Sequence, residues 1–127
     1  MHDSIRVLVC GGRNYDSADA CNWLHKFALT DISEKLGILV RKVTVVIHGG
    51  ASGADLGGAQ WGEDINAKVL CFPANWKKHG KSAGPIRNKR MVEEGRPDVV
   101  IAFSGGAGTA NMCKLAEEYG IPVVKGG

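Results

Sequence analysis

Several things this chain lacks narrow its function. No apolar run approaches the ~20 residues needed to cross a bilayer. The opening Met1-His2-Asp3-Ser4 carries an acid and runs straight into a strand-like segment, unlike a secretory signal, so a cytoplasmic protein without membrane contact is expected. The four cysteines form no C-x-x-C pair, and no histidine stands at zinc-finger spacing from two of them. Cys10, Cys71 and Cys113 lie in apolar surroundings, and the cysteines read as small buried hydrophobes in a reducing compartment. No metal-ligand cluster and no Ser-His-Asp or Cys-His arrangement emerges, and neither a metal nor a cofactor is expected. The G-x-G-x-x-G fingerprint is missing, which argues against a standard dinucleotide fold. Gly80-Lys81-Ser82 is not a P-loop either, because the first glycine of that pattern falls on Asn75 and no strand runs directly into it.

Acid is also missing from one particular stretch. Lys77, Lys78, Lys81, Arg87, Lys89 and Arg90 place six cations between residues 77 and 90 with no counter-charge, on a chain whose net charge is only +3. A local basic segment on an otherwise acidic chain points to an anionic ligand at one place.

What is abundant is glycine, 18 of 127 residues, in a chain that is 44% hydrophobic and sized for one domain over 1–127. Short β-rich runs at 5–10, 42–47, 67–72, 98–103 and 122–125 alternate with helical patterns. Helices are expected from Asp16 to about Leu36, from Gly53 to Asn66, from Ile86 to Glu94 and from Ala107 to Tyr119. Asp16 or Ser17 suits the first cap, and Gly120 with Pro122 suits the last stop. Trp23, Leu24, Phe27 and Ala28 form one apolar stripe, and Met112, Leu115, Ala116 and Tyr119 another. The stretch from Pro73 to Pro85 reads as a long surface loop with a role of its own. Near-continuous apolar strands joined through helices predict an α/β, Rossmann-like domain: a mainly parallel sheet of about five strands with helices on both faces. Right-handed crossovers then gather every strand-to-helix loop at one edge.

Three of those loops are glycine-rich: Gly11-Gly12, Gly49-Gly50-Ala51-Ser52-Gly53, and Ser104-Gly105-Gly106-Ala107-Gly108-Thr109. Glycine there admits a ligand close to the backbone and permits positive φ, and the free N–H groups of a helix start favour phosphate. Gly106 in particular is expected to need positive φ. Arg87, one turn before the core-facing Met91 and near a helix start, is expected at the rim of the crevice as an anion contact. Asp55 is either a dipole-compensating acid or an acceptor for ribose hydroxyls. Thr109 suits a cap or a phosphate donor. Arg13 and Asn14 can reach across, Tyr15 and Trp76 are base-stacking candidates, and Trp23 and Trp61 belong to the core. His48 fits packing and ligand contact equally.

The motifs Cys10-Gly11-Gly12-Arg13-Asn14-Tyr15, His48-Gly49-Gly50-Ala51-Ser52-Gly53-Ala54-Asp55, Ala83-Gly84-Pro85-Ile86-Arg87-Asn88 with Met91, and Phe103-Ser104-Gly105-Gly106-Ala107-Gly108-Thr109 occur in that order. Together they resemble the YspA-related branch of the SLOG superfamily, which joins the Smf/DprA DNA-processing proteins and the Lonely Guy enzymes and includes small proteins of bacteria and phages. The resemblance implies a Rossmann-like sheet, a nucleotide or nucleotide-derived ligand, and often a homodimer. Lonely Guy enzymes cleave the N-glycosidic bond of nucleoside 5′-monophosphates through P-G-G-x-G-T-x-x-E and an arginine from an earlier helix. Gly105, Gly106, Gly108 and Thr109 match that signature, Ser104 replaces its proline, Met112 replaces its catalytic glutamate, and Arg87 is the counterpart of its arginine. Asn88 accompanies Arg87 in the ligand set, and Asp55 is the carboxylate that the facing loop offers in place of the glutamate. Nucleotide binding is therefore ranked first, N-glycosidase chemistry second, and DprA-like single-stranded DNA binding third.

Overall fold

A computed structural model describes residues 4–127; Met1, His2 and Asp3, read above as the start of a leaderless chain, lie outside the described residues. Five strands, β1 (Ser4–Cys10), β2 (Lys42–His48), β3 (Lys68–Cys71), β4 (Val99–Ala102) and β5 (Val123–Lys125), form one wholly parallel sheet in the order β3-β2-β1-β4-β5. Their alternate residues feed two separate cores. Val7 and Val9 of β1 pack with Leu24, Ala28 and Ile32 of α1 (Ser17–Leu36) and with Trp61 of α2 (Ala54–Asp64). Leu8 and Cys10 of the same strand face Met91 and Val92 of α4 (Ala83–Gly95) and Met112 and Ala116 of α5 (Ala107–Glu118). A strand covered on both sides has no polar face, which is why these strands read as unbroken apolar runs. Among the described residues, no helix is long and apolar enough to cross a membrane.

The helix ends follow local chemistry. Asp16 caps α1 by accepting from Asp19 N at 2.9 Å, and Gly37 closes that helix at φ +68°. Gly120, at φ +70°, ends the last helical segment before Pro122.

Four sequence expectations need correction. The stretch from Pro73 to Pro85 is largely helical: α3 (Trp76–His79), a 3-10 turn (Gly80–Ser82), and the start of α4, which begins at Ala83 rather than Ile86. Asn75 nucleates α3 by accepting from Lys78 N, a capping signal hidden among lysines. The apolar stripes are narrower than expected, because Phe27 and Tyr119 are exposed. Cys71 is exposed because β3 is an edge strand with one flank open, and Cys113, on α5, is half-buried; only Cys10 and Cys21 are buried.

Helix α2 carries few large apolar residues, and the packing shows why. Its inward face is glycine rather than aliphatic: Gly57 meets α1 at the Ser17 carbonyl and Ala20, Gly58 meets Val9, and Gly62 meets Val46 and Val69. A Cβ at Gly58 would stand 2.7 Å from Val9 Cβ, so the helix lies closer to the sheet than any side chain permits.

Candidate functional site

The sheet order reverses between β1 and β4, where crevices open beyond the carboxyl ends of strands. The first and third glycine loops meet there. Gly12 N donates to the Ser104 carbonyl at 2.9 Å, and a Cβ on Gly105 would stand 2.7 Å from Gly12 N. The second loop docks on the first: Ala54 N donates to the Gly12 carbonyl at 3.2 Å, and Ser52 Oγ to the Arg13 carbonyl at 3.2 Å. Gly53, at φ +76°, presses so closely on the carbonyls of Gly12 and Arg13 that a side chain has no room.

These loops floor a cavity of about 660 Å³, within the ~300–1,000 Å³ span of small-molecule sites. The cavity brings together Gly11, Gly12, Arg13, Tyr15, Asp55, Trp76, Arg87, Asn88, Gly105, Gly106, Gly108 and Thr109 of the predicted set. Gly49, Gly50 and Ser52 line a smaller cleft of about 240 Å³ that shares Arg13, Trp76 and Arg87 with it. Gly53 lines neither and is a packing residue. Asn14 is on the wall as expected, whereas Lys81, Gly84 and Asn111 are contributors that sequence reasoning missed. Lys81 stands out in the sequence only as one cation of the basic segment, not as a cavity residue.

The start of α5 supplies donors. No side chain caps it, and Gly106 stands at the cap position. The first hydrogen bond into the helix is Ala110 N to the Gly106 carbonyl, so the N–H groups from Gly105 to Thr109 have no partner among the described residues. The Thr109 hydroxyl makes no cap bond. Gly106 does not need positive φ: it sits at φ −98°, with open space where a Cβ would go. The crowded glycine of this loop is Gly105.

Arg87 faces this loop, though not as the helix-start argument expected. Because α4 begins at Ala83, Arg87 stands in its second turn. It is half-buried and tethered: Nη1 donates to the Gly49 carbonyl at 2.6 Å and Nε to Asn88 Oδ1 at 2.9 Å. Asn88, buried, donates from Nδ2 to the Gly108 carbonyl at 3.1 Å and to Asn111 Oδ1 at 2.9 Å. Its amide thus joins Arg87 to the third loop, and the residue lines the cavity as well. Burial lowers the Arg87 pKa, and the nearby Asp55 carboxylate opposes that effect.

Asp55 is buried in the first turn of α2, and its Oδ2 accepts from Gly49 N at 3.0 Å and Ala51 N at 3.3 Å. This bonding organises the second loop, and Oδ1 keeps no protein partner among the described residues. Burial raises the Asp55 pKa above its ordinary value, against the pull of those two N–H groups and of Arg87 and Arg13. It is the sole carboxylate among the described residues lining the cavity. Met112 is fully buried in the core under α5 and does not reach the cavity.

His48 proves to be a packed residue. Its Nδ1 accepts from Gly50 N at 3.0 Å, and burial, with Arg87 nearby, lowers its pKa. Of the two stacking candidates, Tyr15 is already engaged with Phe103, ring centroids 4.9 Å apart. Trp76 is exposed at the cavity mouth with the Arg13 guanidinium 5.4 Å from its ring centre. Trp61 is core, and Trp23 is half-buried edge-on to Phe103. Away from the cavity, the described residues include one set of potential metal donors that the sequence did not reveal: Cys21, His25 and Asp64.

The model of the YspA, cpYpsA-related SLOG family matches residues 5–79, which carry the first two glycine loops. Over 90 residues the chain is 41% identical to Gene 61 protein of Mycobacterium phage D29, an alignment covering 65% of this chain and 71% of that protein. Among solved structures, glycinamide ribonucleotide transformylase 1 from Symbiobacterium toebii is similar at a TM-score of 0.42 and 16% identity over 80% of this chain, which spans 42% of that protein's length. The family match ends before Arg87 and the third loop, so their place in the site rests on geometry.

Proposed function

Because the chain belongs to the YspA, cpYpsA-related SLOG family, we propose that it binds a nucleotide or nucleotide-derived ligand, with a phosphate held between the start of α5 and Arg87. One observation carries this reading: the N–H groups from Gly105 to Thr109 are unpartnered at an uncapped helix start that faces a tethered guanidinium across the cavity. Backbone donors with a helix dipole behind them suit an anion, and a forked guanidinium adds directed, charge-assisted bonds. The exposed indole of Trp76 offers a stacking surface for the base. Asp55 Oδ1 offers an acceptor for ribose hydroxyls.

Calorimetric titration with a panel of nucleoside mono- and diphosphates tests the reading, alongside mass spectrometry of whatever copurifies. Binding of phosphorylated nucleosides, with the unphosphorylated nucleosides much weaker, supports it. Equal binding of both forms overturns the phosphate placement.

A second reading is favoured by Asp55 alone. A buried carboxylate with one free oxygen can stabilise a developing oxocarbenium ion, so nucleoside 5′-monophosphate N-glycosidase activity is the alternative. General acid–base groups contribute typically ~10²–10⁴-fold, and the thioether of Met112, buried in the core, supplies no such group at that position. Chromatographic detection of rapid base release, lost in Asp55→Asn, would make the protein an enzyme.

A further inference from the structure

Cys21 and His25 are four residues apart on α1, hence on one face of that helix. Asp64 ends α2, which packs alongside. The three donor atoms lie within 4.8 Å of one another: Cys21 Sγ is 3.8 Å and His25 Nε2 2.8 Å from Asp64 Oδ2. With Zn–N of about 2.0 Å and Zn–S of about 2.3 Å, tetrahedral ligand atoms sit roughly 3.3–3.6 Å apart. The two separations from Asp64 Oδ2 straddle that range, so an ion enters by opening the His25–Asp64 contact by about half an ångström and drawing Cys21 Sγ inward.

The chemistry of the set agrees with its geometry. Thiolate and imidazole donors select a zinc-class ion over the oxygen-seeking calcium and magnesium. One thiolate, one carboxylate and one neutral imidazole balance a divalent charge. Gln60 Nε2 donates to Asp64 Oδ1 at 3.0 Å, which fixes the carboxylate with Oδ2 turned to the other two donors. The side chains of His25 and Asp64 are about 40% exposed and leave an entry path, while Cys21 is buried beneath them. None of the three lines either cavity.

We propose that Cys21, His25 and Asp64 bind one zinc-class divalent cation with water in the fourth position, clamping α1 to α2. On binding, the Cys21 S–H bond breaks, its proton passes to solvent, and a metal–sulfur bond forms; no redox partner is involved.

The test is titration of the chelator-treated, full-length protein with Co²⁺ and then Zn²⁺. The expected result is one equivalent of Co²⁺ giving tetrahedral d–d bands and a thiolate charge-transfer band, both abolished by Zn²⁺. Cys21→Ser should remove the charge-transfer band, and His25→Ala, at an exposed position with little effect on folding, should weaken binding. Gln60→Ala should weaken it by roughly 10–100-fold, as loss of a group orienting a ligand does. Cys71→Ser should leave binding intact. Absence of binding, or a charge-transfer band that survives Cys21→Ser but disappears in Cys71→Ser, overturns the site and leaves a hydrogen bond between two helices.

Discussion

Arg87 Nη1 donates to the Gly49 carbonyl at 2.6 Å, so the guanidinium is anchored to the second glycine loop before any ligand arrives. Its Nε is fixed by Asn88, which also holds the Gly108 carbonyl. The cation is thus tied directly to the second loop and, through Asn88, to the third, and a preplaced charge loses little freedom when it meets an anion.

Removing that charge should weaken phosphate binding by ~1.5–3 kcal/mol, the range for a hydrogen bond to a charged group. Arg87→Ala is therefore expected to lose roughly ten- to a hundredfold in calorimetric affinity for a phosphorylated nucleoside. Arg87→Lys should recover only part, since an ammonium cannot bond Gly49 and Asn88 and still present a fork. Lys78→Ala, on the exposed face of α3, should change little. If Lys78→Ala abolishes binding while Arg87→Ala leaves it intact, the phosphate lies elsewhere.

The glycines at the start of α5 should separate stability from binding. Gly105→Ala places a methyl group against Gly12 N and Thr109 Oγ1, so the melting temperature should fall. Gly106→Ala meets nothing within 4 Å in the protein, so it should fold like the parent. Loss of affinity in Gly106→Ala with an unchanged melting temperature places the ligand over this residue; unchanged affinity removes it from there.

Asp55 should reveal itself through pH. Its folded pKa lies above the ordinary 3.8, so the native state holds its proton more tightly than the unfolded chain does. The stability this gives is fully present below pH 3.8 and is lost as pH rises through the raised folded value. Asp55→Asn keeps an acceptor for Gly49 N and Ala51 N without the buried charge. It is expected to gain melting temperature relative to the parent at pH 7, with the gain shrinking toward pH 4, while ligand affinity falls. A variant less stable than the parent at neutral pH, with no trend toward acid, contradicts this account.

Lys77, Lys78, Lys81, Lys89 and Arg90 are exposed, but Arg90 is paired with Glu94 at 3.0 Å and Arg87 is turned inward. Few cations remain for a nucleic-acid backbone. Single-stranded DNA binding by fluorescence anisotropy should be weak and vanish near physiological salt, with a slope of about −0.7 per neutralised phosphate. Tight binding at that salt would move DNA ahead of nucleotides.

The sheet was legible because its central strands are covered on both faces and so show as apolar runs, as in Val99-Val100-Ile101. The three loops were legible because their glycines follow those runs directly. Arg87 was reached by a faulty route: spacing from Met91 oriented it correctly, but the dipole argument assumed a helix start that the structure moves back to Ala83. The bonds of Asn88 were not legible, because its partners, Gly108 and Asn111, lie 20 and 23 residues away. The Cys21–His25–Asp64 set was invisible for the same reason, with Asp64 separated from the others by 39 and 43 residues.

The glycine face of α2 has a kinetic consequence. Each glycine costs a helix ~1 kcal/mol relative to alanine, so Gly57, Gly58 and Gly62 together penalise the isolated segment by about 3 kcal/mol. This helix cannot stand before its neighbours do; it condenses onto a sheet and an α1 already in place. The second glycine loop, Asp55 with it, is then expected to form after the sheet and to open before it. Amide exchange in native buffer should find residues 54–64 opening below the global unfolding free energy, with β1 and β4 protected to the full value. Uniform protection across both regions would show that the close packing has outweighed the weak helix.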